Sequence, residues 1–188
     1  MNKNSLKNIA TEVINLEIDA LKILKKSINK SFDKAVNTIV NCQSKIILCG
    51  VGKSGLIAAK IASTLSSVGS PAFSLSANDC LHGDLGSITK KDVLILISNS
   101  GKSEEIIPII KFANRNKIKL IGIVSKKNSF LYKGSDIKIL LPEVKESGLG
   151  VVPTSSTSIQ LAIGDALAVA ALKKKQFSKY DFSRLHPG

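Results

Sequence analysis

The chain has 188 residues, of which 44% are hydrophobic and 22% are charged, and these values are typical of one globular domain. Its net charge of +13 comes with only two arginines, Arg115 and Arg184, and with 4% aromatic residues, so side chains that read or stack on bases are scarce. We therefore expect a lysine-rich solvated surface that attracts anionic substrates, and no nucleic-acid partner.

The segment from Met1 to Ala10 is polar and rich in Lys and Asn, and it lacks the apolar stretch of a signal peptide. No uninterrupted apolar run approaches the roughly 18 residues that a membrane span requires. Three cysteines without a CxxC spacing indicate reduced thiols. These features predict a cytoplasmic protein with no membrane attachment.

Residues 5–40 carry apolar side chains at near-helical spacing with charged residues between them. This pattern predicts helices with a break near Asn29 to Ser31. We therefore expect an N-terminal helical arm, residues 1–40, followed by a single globular unit, residues 41–188.

From Lys45 onward, short continuous apolar runs alternate with helical patterns. Strands are predicted at 46–50, 72–75, 93–97, 120–124 and 137–140, and helices at 54–67, 103–116 and 154–173. Continuous apolar strands between helices are typical of a parallel sheet covered on both faces. The sequence thus predicts an α/β fold, a three-layer α/β/α sandwich on a five-stranded parallel sheet of order 2-1-3-4-5.

The first predicted strand ends in the Gly-rich turn GVGKSG, residues 50–55, which opens a helix. It fits G-x-G-x-x-G, but the acidic residue that a dinucleotide site needs after the second strand is absent. A Walker A loop is excluded because Ile47 stands where that motif needs glycine. The turn places backbone N–H groups, Lys53 and Ser54 at a helix N-terminus, which suits an anion. A tight turn that needs glycine but binds nothing is the alternative.

The third predicted strand ends in SNSGKS, residues 98–103, which also precedes a helix. Three hydroxyls and a glycine at such a turn can hold a phosphate, although Ser103 could serve merely as the helix N-cap. In a 2-1-3-4-5 sheet, strands one and three are neighbours at the switch point, where ligands bind at the carboxyl ends. The two loops therefore predict one anion site.

Six segments occur in order along the chain: GVGKSG (50–55), HGDLG (82–86), SNSG (98–101), PTSST (153–157), GDALA (164–168) and HPG (186–188). Together they resemble arabinose-5-phosphate isomerases of the SIS (sugar isomerase) family, over about residues 40–188. The resemblance implies a flavodoxin-like SIS fold and interconversion of D-ribulose 5-phosphate and D-arabinose 5-phosphate. It also implies supply of Kdo and lipopolysaccharide synthesis, a homotetramer and no cofactor.

The resemblance further implies roles for individual residues. The implied catalytic residues are Lys53, Glu105, Glu146 and His186. The implied substrate-binding residues are Ser54, Gly69, Ser70, His82, Ser98, Ser100, Ser103 and Thr157. Family members often carry a histidine tied to metal binding where this chain has Ser76, so we expect no metal site.

These residue types suit the implied reaction. Aldose–ketose isomerisation moves a proton between C1 and C2 through an enediol, which needs a base and an acid–base pair for the oxygen protons. Glutamate and histidine meet that need, and a lysine can stabilise a developing oxyanion. Without the resemblance, Glu105 would be interpreted as a helix-dipole partner and Glu146 as an ordinary loop acid.

Other functions remain open at this point. The chain could be a non-catalytic sugar-phosphate sensor like the SIS domains of transcription regulators, although a 40-residue arm is short for a DNA-binding domain. It could be an SIS isomerase for a heptose or hexulose phosphate, or a dinucleotide-binding protein. Many relatives continue into paired CBS domains beyond the position where this sequence ends, so we expect no CBS-type nucleotide regulation within these residues.

Overall fold

The computed structural model describes residues 5–186 and begins with two helices, α1 (Leu6–Ser27) and α2 (Lys30–Val40). The chain leaves the helical conformation at Ile28 and Asn29, which confirms the break predicted in this region. Asn29 caps α2, because its side-chain oxygen accepts a hydrogen bond from the Ser31 N–H at 2.9 Å.

Five parallel strands form the sheet, in the order β2-β1-β3-β4-β5. They are β1 (Ile46–Gly50), β2 (Ala72–Ser76), β3 (Val93–Ser98), β4 (Lys119–Val124) and β5 (Ile137–Leu140). All five strands and their order agree with the sequence prediction. The chain therefore has the predicted three-layer α/β fold, with the switch point between β1 and β3.

Helices cover both faces of the sheet. Helices α1, α2, α3 (Lys53–Ser67) and α8 (Ser155–Lys174) pack on one face, and α4 (Ala77–Cys80), α5 (Ile106–Arg115) and α6 (Phe130–Gly134) pack on the other. Successive residues of β1 alternate between the two cores, since Ile46 and Leu48 join the first and Ile47 and Cys49 join the second. Both faces of the strand must be apolar, which explains the continuous hydrophobic runs in the sequence.

The start predicted for the helix after β3, which is α5, was wrong. We expected it at residue 103, but α5 begins at Ile106, so Ser103 is not its N-cap and Glu105 is not in its first turn. Pro108 gives the physical reason: it has no N–H to donate, which is harmless in the first turn of a helix and costly further inside. Residues 103–105 instead form turns in which the Ile106 N–H bonds to the Ser103 carbonyl at 3.3 Å.

Several short elements lie in segments to which the sequence pattern assigned no structure. They are α4, α6, a 3₁₀ turn (Asp84–Ser87), a kinked turn α7 (Gly148–Val151) and α9 (Lys179–Leu185). Most are too short to show a helical period. Helix α9 has a recognisable start, because Ser178 and Asp181 form a reciprocal capping box.

Helix α8 is long and apolar enough, by length and composition, to cross a membrane. Half of its apolar stretch is buried inside the fold, where it packs against α1, α2 and α3. The central helix of a water-soluble protein meets the same length and composition test, so α8 is weak evidence for a span.

The ends of β1 and β3 and the start of α3 approach one another backbone to backbone. A Cβ atom on Gly50 would lie 2.8 Å from the Ser54 carbonyl oxygen and 2.9 Å from that of Ile97. A Cβ atom on Gly55 would lie 2.8 Å from the Gly50 carbonyl oxygen. Because these neighbours are backbone atoms, they cannot rotate away, and glycine is needed for this packing.

We predict that Gly55→Ala lowers the free energy of unfolding by about 1–3 kcal/mol, because the added methyl overlaps the Gly50 carbonyl. Alanine otherwise stabilises a helix by up to about 1 kcal/mol relative to glycine, so the sign of the change is diagnostic. Urea denaturation measures it. Gly86→Ala is the matched control, since a Cβ atom there would meet no atom within 4 Å apart from those of its own segment of the chain. Equal effects of the two substitutions would contradict the close approach.

Candidate functional site

A cleft of about 350 Å³ opens where β1 and β3 end. Four segments line it: the loop after β1, the loop after β3, the chain after β5 and the start of α8. We call it the strand-end cleft, and its lining residues are Val51, Lys53, Ser54, Asn99, Glu146, Val151, Pro153, Ser156, Thr157 and Gln160. It lies at the switch point of the sheet, where ligands bind in doubly wound folds.

Lys53 and Ser54 reach the cleft from the first turn of α3. The turn that leads into this helix has Gly52 at φ +57°, a conformation that favours glycine. Lys53 is exposed and forms no ion pair within residues 5–186. Ser54 donates a hydrogen bond from Oγ to Gln160 Oε1 at 3.1 Å. This hydrogen bond joins the first turn of α3 to α8. The Lys53 ammonium is an exposed cation at the edge of the same cleft.

The carboxylate of Glu146 caps the N-terminus of α8. Its Oε2 accepts hydrogen bonds from the Thr154 N–H at 2.9 Å, from Thr154 Oγ1 at 3.3 Å and from the Ser156 N–H at 3.3 Å. Helix α8 begins at Ser155 and has no other side-chain cap at Thr154. The carboxylate thus satisfies N–H groups that a helix N-terminus leaves unpaired, in the positive end of the helix dipole.

These contacts keep Glu146 ionised. Burial alone raises the pKa of the carboxyl group, but the hydrogen bonds from Ser156 and Thr154 outweigh it, and the pKa lies below its ordinary value. The Ser156 side chain adds a hydrogen bond to the carboxylate, beyond those from the two N–H groups and from Thr154 Oγ1. At neutral pH the residue therefore offers the cleft a charged acceptor and no donor.

The loop after β3, residues 98–103, contributes to one wall of the cleft through Asn99, and we call it the serine loop. Ser98 is buried, and its Oγ accepts a hydrogen bond from the Gly101 N–H at 3.0 Å. Ser100 Oγ accepts one from the Lys102 N–H at 3.3 Å, and Ser100 lines a second opening instead of the strand-end cleft. Asn99, between the two serines, does line that cleft. The three serines of this loop that were predicted to bind phosphate, Ser98, Ser100 and Ser103, thus do not line the strand-end cleft.

On the other side of the serine loop lies a second opening of about 660 Å³, which we call the lysine cleft. It is lined by Ser100, Lys102, Ser125, Lys126, Lys127, Asn128, Leu140, Leu141, Pro142 and Glu143. Glu143 is ion-paired with Lys126 at 2.6 Å. The remaining lysines give this opening a positive charge.

Two further residues with predicted roles lie near the same edge of the sheet but do not line the strand-end cleft. Glu105 is half-buried immediately before α5, and His82 is exposed in the turn after α4. The His82 N–H bonds to the Asp79 carbonyl at 2.9 Å, which continues that short helix. Ser103 is half-buried in the turn that leads to Glu105.

Gly69 and Ser70 lie at the opposite edge of the sheet, because they directly precede the amino end of β2. The Lys175 ammonium donates to the Gly69 carbonyl at 3.1 Å and to Ser70 Oγ at 2.9 Å. These contacts fasten the end of α8 to the start of β2. Neither residue can reach the strand-end cleft of its own chain.

His186 lies at the same distant edge. It follows α9, which lines a small opening together with Gly69. The imidazole stacks on the Phe182 ring at 3.8 Å between centroids, and its Nδ1 is 2.9 Å from the Phe182 carbonyl oxygen. Pro187 and Gly188, the rest of the HPG motif, lie outside the described residues.

The structure adds three polar residues to the cleft to which the sequence assigned no role: Asn99, Ser156 and Gln160. Gln160 carried a usable signal, since it is a polar residue within an apolar stretch of α8 and is only 1% exposed. Buried polar side chains need hydrogen-bond partners, so a glutamine in the apolar part of a helix close to the PTSST segment indicates a polar site there. Within residues 5–186, no group of three or more His, Cys, Asp or Glu side chains could hold a metal ion.

Comparison with known proteins gives one family. A family model described as SIS domain matches residues 39–170. Arabinose 5-phosphate isomerase KdsD of Francisella tularensis is 45% identical over 184 residues, which cover 96% of this chain and 56% of that protein. KdsD of Yersinia pestis is 43% identical over 178 residues, which cover 94% and 54%. The chain thus spans less than two thirds of the length of the curated relatives it matches.

A solved structure of similar length is also similar over its whole chain. It is that of the Escherichia coli CFT073 protein c3406 in complex with arabinose 5-phosphate, with a TM-score of 0.94 and 34% identity. The alignment covers 100% of both chains. The similarity therefore includes the arm, the sheet and the loops at both of its edges.

We predict that Glu146→Gln lowers the free energy of unfolding at pH 7 by about 1–2 kcal/mol, because the neutral amide binds the start of α8 less strongly. The folded-state pKa lies below the unfolded-state pKa, so the carboxylate stabilises the fold fully above the unfolded value. The stabilisation is lost as the pH falls through the folded value. Urea denaturation across acidic pH checks this.

Glu104→Gln is the control, since Glu104 is an exposed acid whose side chain contacts no partner within residues 5–186. A difference between wild type and Glu146→Gln that persists unchanged in acid would contradict the capping role of Glu146.

Proposed function

The chain belongs to the SIS domain family, and from this premise we propose that it is an aldose–ketose isomerase that interconverts D-ribulose 5-phosphate and D-arabinose 5-phosphate. The observation that carries the proposal is the agreement of two comparisons. Relatives that are 43–45% identical over nearly all of this chain are arabinose 5-phosphate isomerases, and c3406, similar from end to end, was solved with arabinose 5-phosphate.

The chemistry of the strand-end cleft supports this proposal. Isomerisation needs a carboxylate or imidazole that takes a proton from C1 of the ketose and returns it to C2. Glu146 lines the cleft as an ionised carboxylate, so we assign it this proton transfer. Lys53 lines the same cleft and would stabilise negative charge on the sugar oxygens during the reaction.

The phosphate is proposed to bind at the loops that follow β1 and β3. Hydroxyl groups and backbone N–H groups there suit a dianion at a helix N-terminus. The proposed ligands remain Ser98, Ser100 and Ser103, with Ser54 and Thr157 nearby in the strand-end cleft. The hydroxyls of Ser54 and Thr157 donate to Gln160 Oε1 and to the Thr154 carbonyl, so these two residues would contact the phosphate through their backbone N–H groups. Phosphate binding away from the reacting carbons would orient C1 and C2 at Glu146.

Three residues with proposed roles need another copy of the chain. Gly69, Ser70 and His186 lie at the amino edge of the sheet, so they can serve a strand-end cleft only if a second subunit presents them. A homotetramer, proposed from the family resemblance, would supply such copies.

Catalytic action of Glu105 and substrate contact by His82 are likewise proposals. We also propose a cytoplasmic enzyme without a cofactor that supplies Kdo and lipopolysaccharide synthesis.

The direct test is incubation of the purified chain with D-ribulose 5-phosphate while NMR follows the formation of D-arabinose 5-phosphate. We expect product at an enzymatic rate, and none with heptose or hexulose phosphates. Ligand binding without turnover would identify a sensor instead. Preferential turnover of another sugar phosphate would identify a different SIS isomerase.

We predict that Lys53→Met lowers kcat/KM by roughly two to three orders of magnitude, because the cleft loses the cation at its rim. Lys60→Met is the matched control, since Lys60 lies on the same helix, is exposed and pairs with Asp165 instead of facing the cleft. The NMR assay measures both variants. Equal rates for the two would show that the charge at residue 53 has no part in the reaction.

We predict that His186→Ala and Lys53→Met are each nearly inactive, but that mixed oligomers of the two recover part of the activity. If His186 acts on the cleft of another subunit, some clefts in a mixture contain both an intact Lys53 and an intact His186. Unfolding and refolding the two variants together, with each refolded alone as a control, provides the measurement. Recovery no greater than in the separate samples would contradict action across a subunit boundary.

A further inference from the structure

Two side-chain amides in the strand-end cleft have their oxygen atoms held by serine hydroxyls. Gln160 Oε1 accepts a hydrogen bond from Ser54 Oγ at 3.1 Å, and Asn99 Oδ1 accepts one from Ser125 Oγ at 2.7 Å. Both amides line the cleft, Asn99 from the serine loop and Gln160 from α8. The two residues therefore present the same arrangement from two different walls.

Within the part of the chain that the structure describes, the amide nitrogens of this pair have no hydrogen-bond partner. Neither Asn99 Nδ2 nor Gln160 Nε2 donates a hydrogen bond to any atom within residues 5–186. Over the same residues, the one enclosed side-chain polar atom without a partner is Ser155 Oγ. Although Gln160 is only 1% exposed, its nitrogen is thus not sealed in the core and opens onto the cleft.

This arrangement orients the N–H groups before any ligand arrives. Because each amide oxygen is held, the opposite end of each planar amide group points in a fixed direction. An amide N–H that is removed from water without an acceptor is destabilising, so a ligand oxygen that accepts from it is favoured. Donors fixed in advance are also the kind that stabilise developing charge most effectively.

We propose that Asn99 and Gln160 form a donor pair that binds the sugar oxygens at the reacting carbons and stabilises the enediolate; this rests on the proposed isomerase function. When the base removes a proton from C1, the C1–H electrons form the C1–C2 double bond and the C2 carbonyl oxygen becomes negative. The pair donates hydrogen bonds to the oxygens and transfers no proton. The proton then returns to C2, the C2 oxygen is protonated, and the C1 hydroxyl loses its proton as its carbonyl forms.

The charge in the cleft favours sugar oxygens over the phosphate as the acceptors. Glu146 lines the same cleft as an ionised carboxylate and would repel a phosphate dianion close to it. Uncharged donors beside a carboxylate base suit the reacting end of the substrate instead. The phosphate then lies towards the loops, away from Glu146.

The test compares Asn99→Leu and Gln160→Met, which remove the N–H donors with little change in volume. We expect each to lower kcat about a hundredfold, as loss of one oxyanion donor does. Inhibition by inorganic phosphate should change less than about threefold, because the pair does not hold the phosphate. Gln43→Met is the matched control, since Gln43 is exposed before the amino end of β1.

The variants separate the possible outcomes. Asn99 is exposed, so Asn99→Leu decides the matter even if the buried Gln160→Met fails to fold, and calorimetry monitors folding of both. If wild type turns over ribulose 5-phosphate and folded variants match its kcat, the donor pair is wrong. Unchanged kcat with weaker phosphate inhibition would overturn it in favour of a phosphate contact. An inactive wild type would remove the isomerase function and the pair with it.

Discussion

The close approach of three backbone segments is the constraint on which the rest of the site depends. Gly50 and Gly55 leave no space for a Cβ atom between the ends of β1 and β3 and the first turn of α3. Because nothing larger than hydrogen stands between them, the loops after β1 and β3 emerge side by side. This proximity brings Lys53 and Ser54 next to Asn99 and lets Ser54 reach Gln160 on α8.

Glu146 links the stability of the fold to the chemistry proposed for the cleft. Its carboxylate accepts hydrogen bonds from the N-terminus of α8 and also lines the strand-end cleft. The same hydrogen bonds that lower its pKa fix its orientation, but they also weaken it as a base. Proton abstraction by this residue therefore depends on nearby stabilisation of the negative charge that forms on the sugar, which Lys53 and the amide pair are placed to supply.

Much of the fold follows from local sequence pattern. Strands buried on both faces have continuous apolar runs, and the glycines and serines after the first and third mark the edge where the cleft opens. The predicted start of α5 was wrong because the serine loop resembles a helix start, whereas Pro108 is tolerated only in the first turn and so favours a later start. Gln160 was missed because its partner, Ser54, is distant in sequence, and no motif joins the two. Which of the two openings Ser100 lines depends on a turn that composition does not specify.

A crystal structure of the protein with D-arabinose 5-phosphate would show whether the strand-end cleft holds the reacting sugar. We expect C1 and C2 beside Glu146, with their oxygens within hydrogen-bond distance of Asn99 Nδ2 and Gln160 Nε2. A fully occupied ligand whose sugar lies in the lysine cleft or at the amino edge of the sheet, with the strand-end cleft empty, would contradict this expectation.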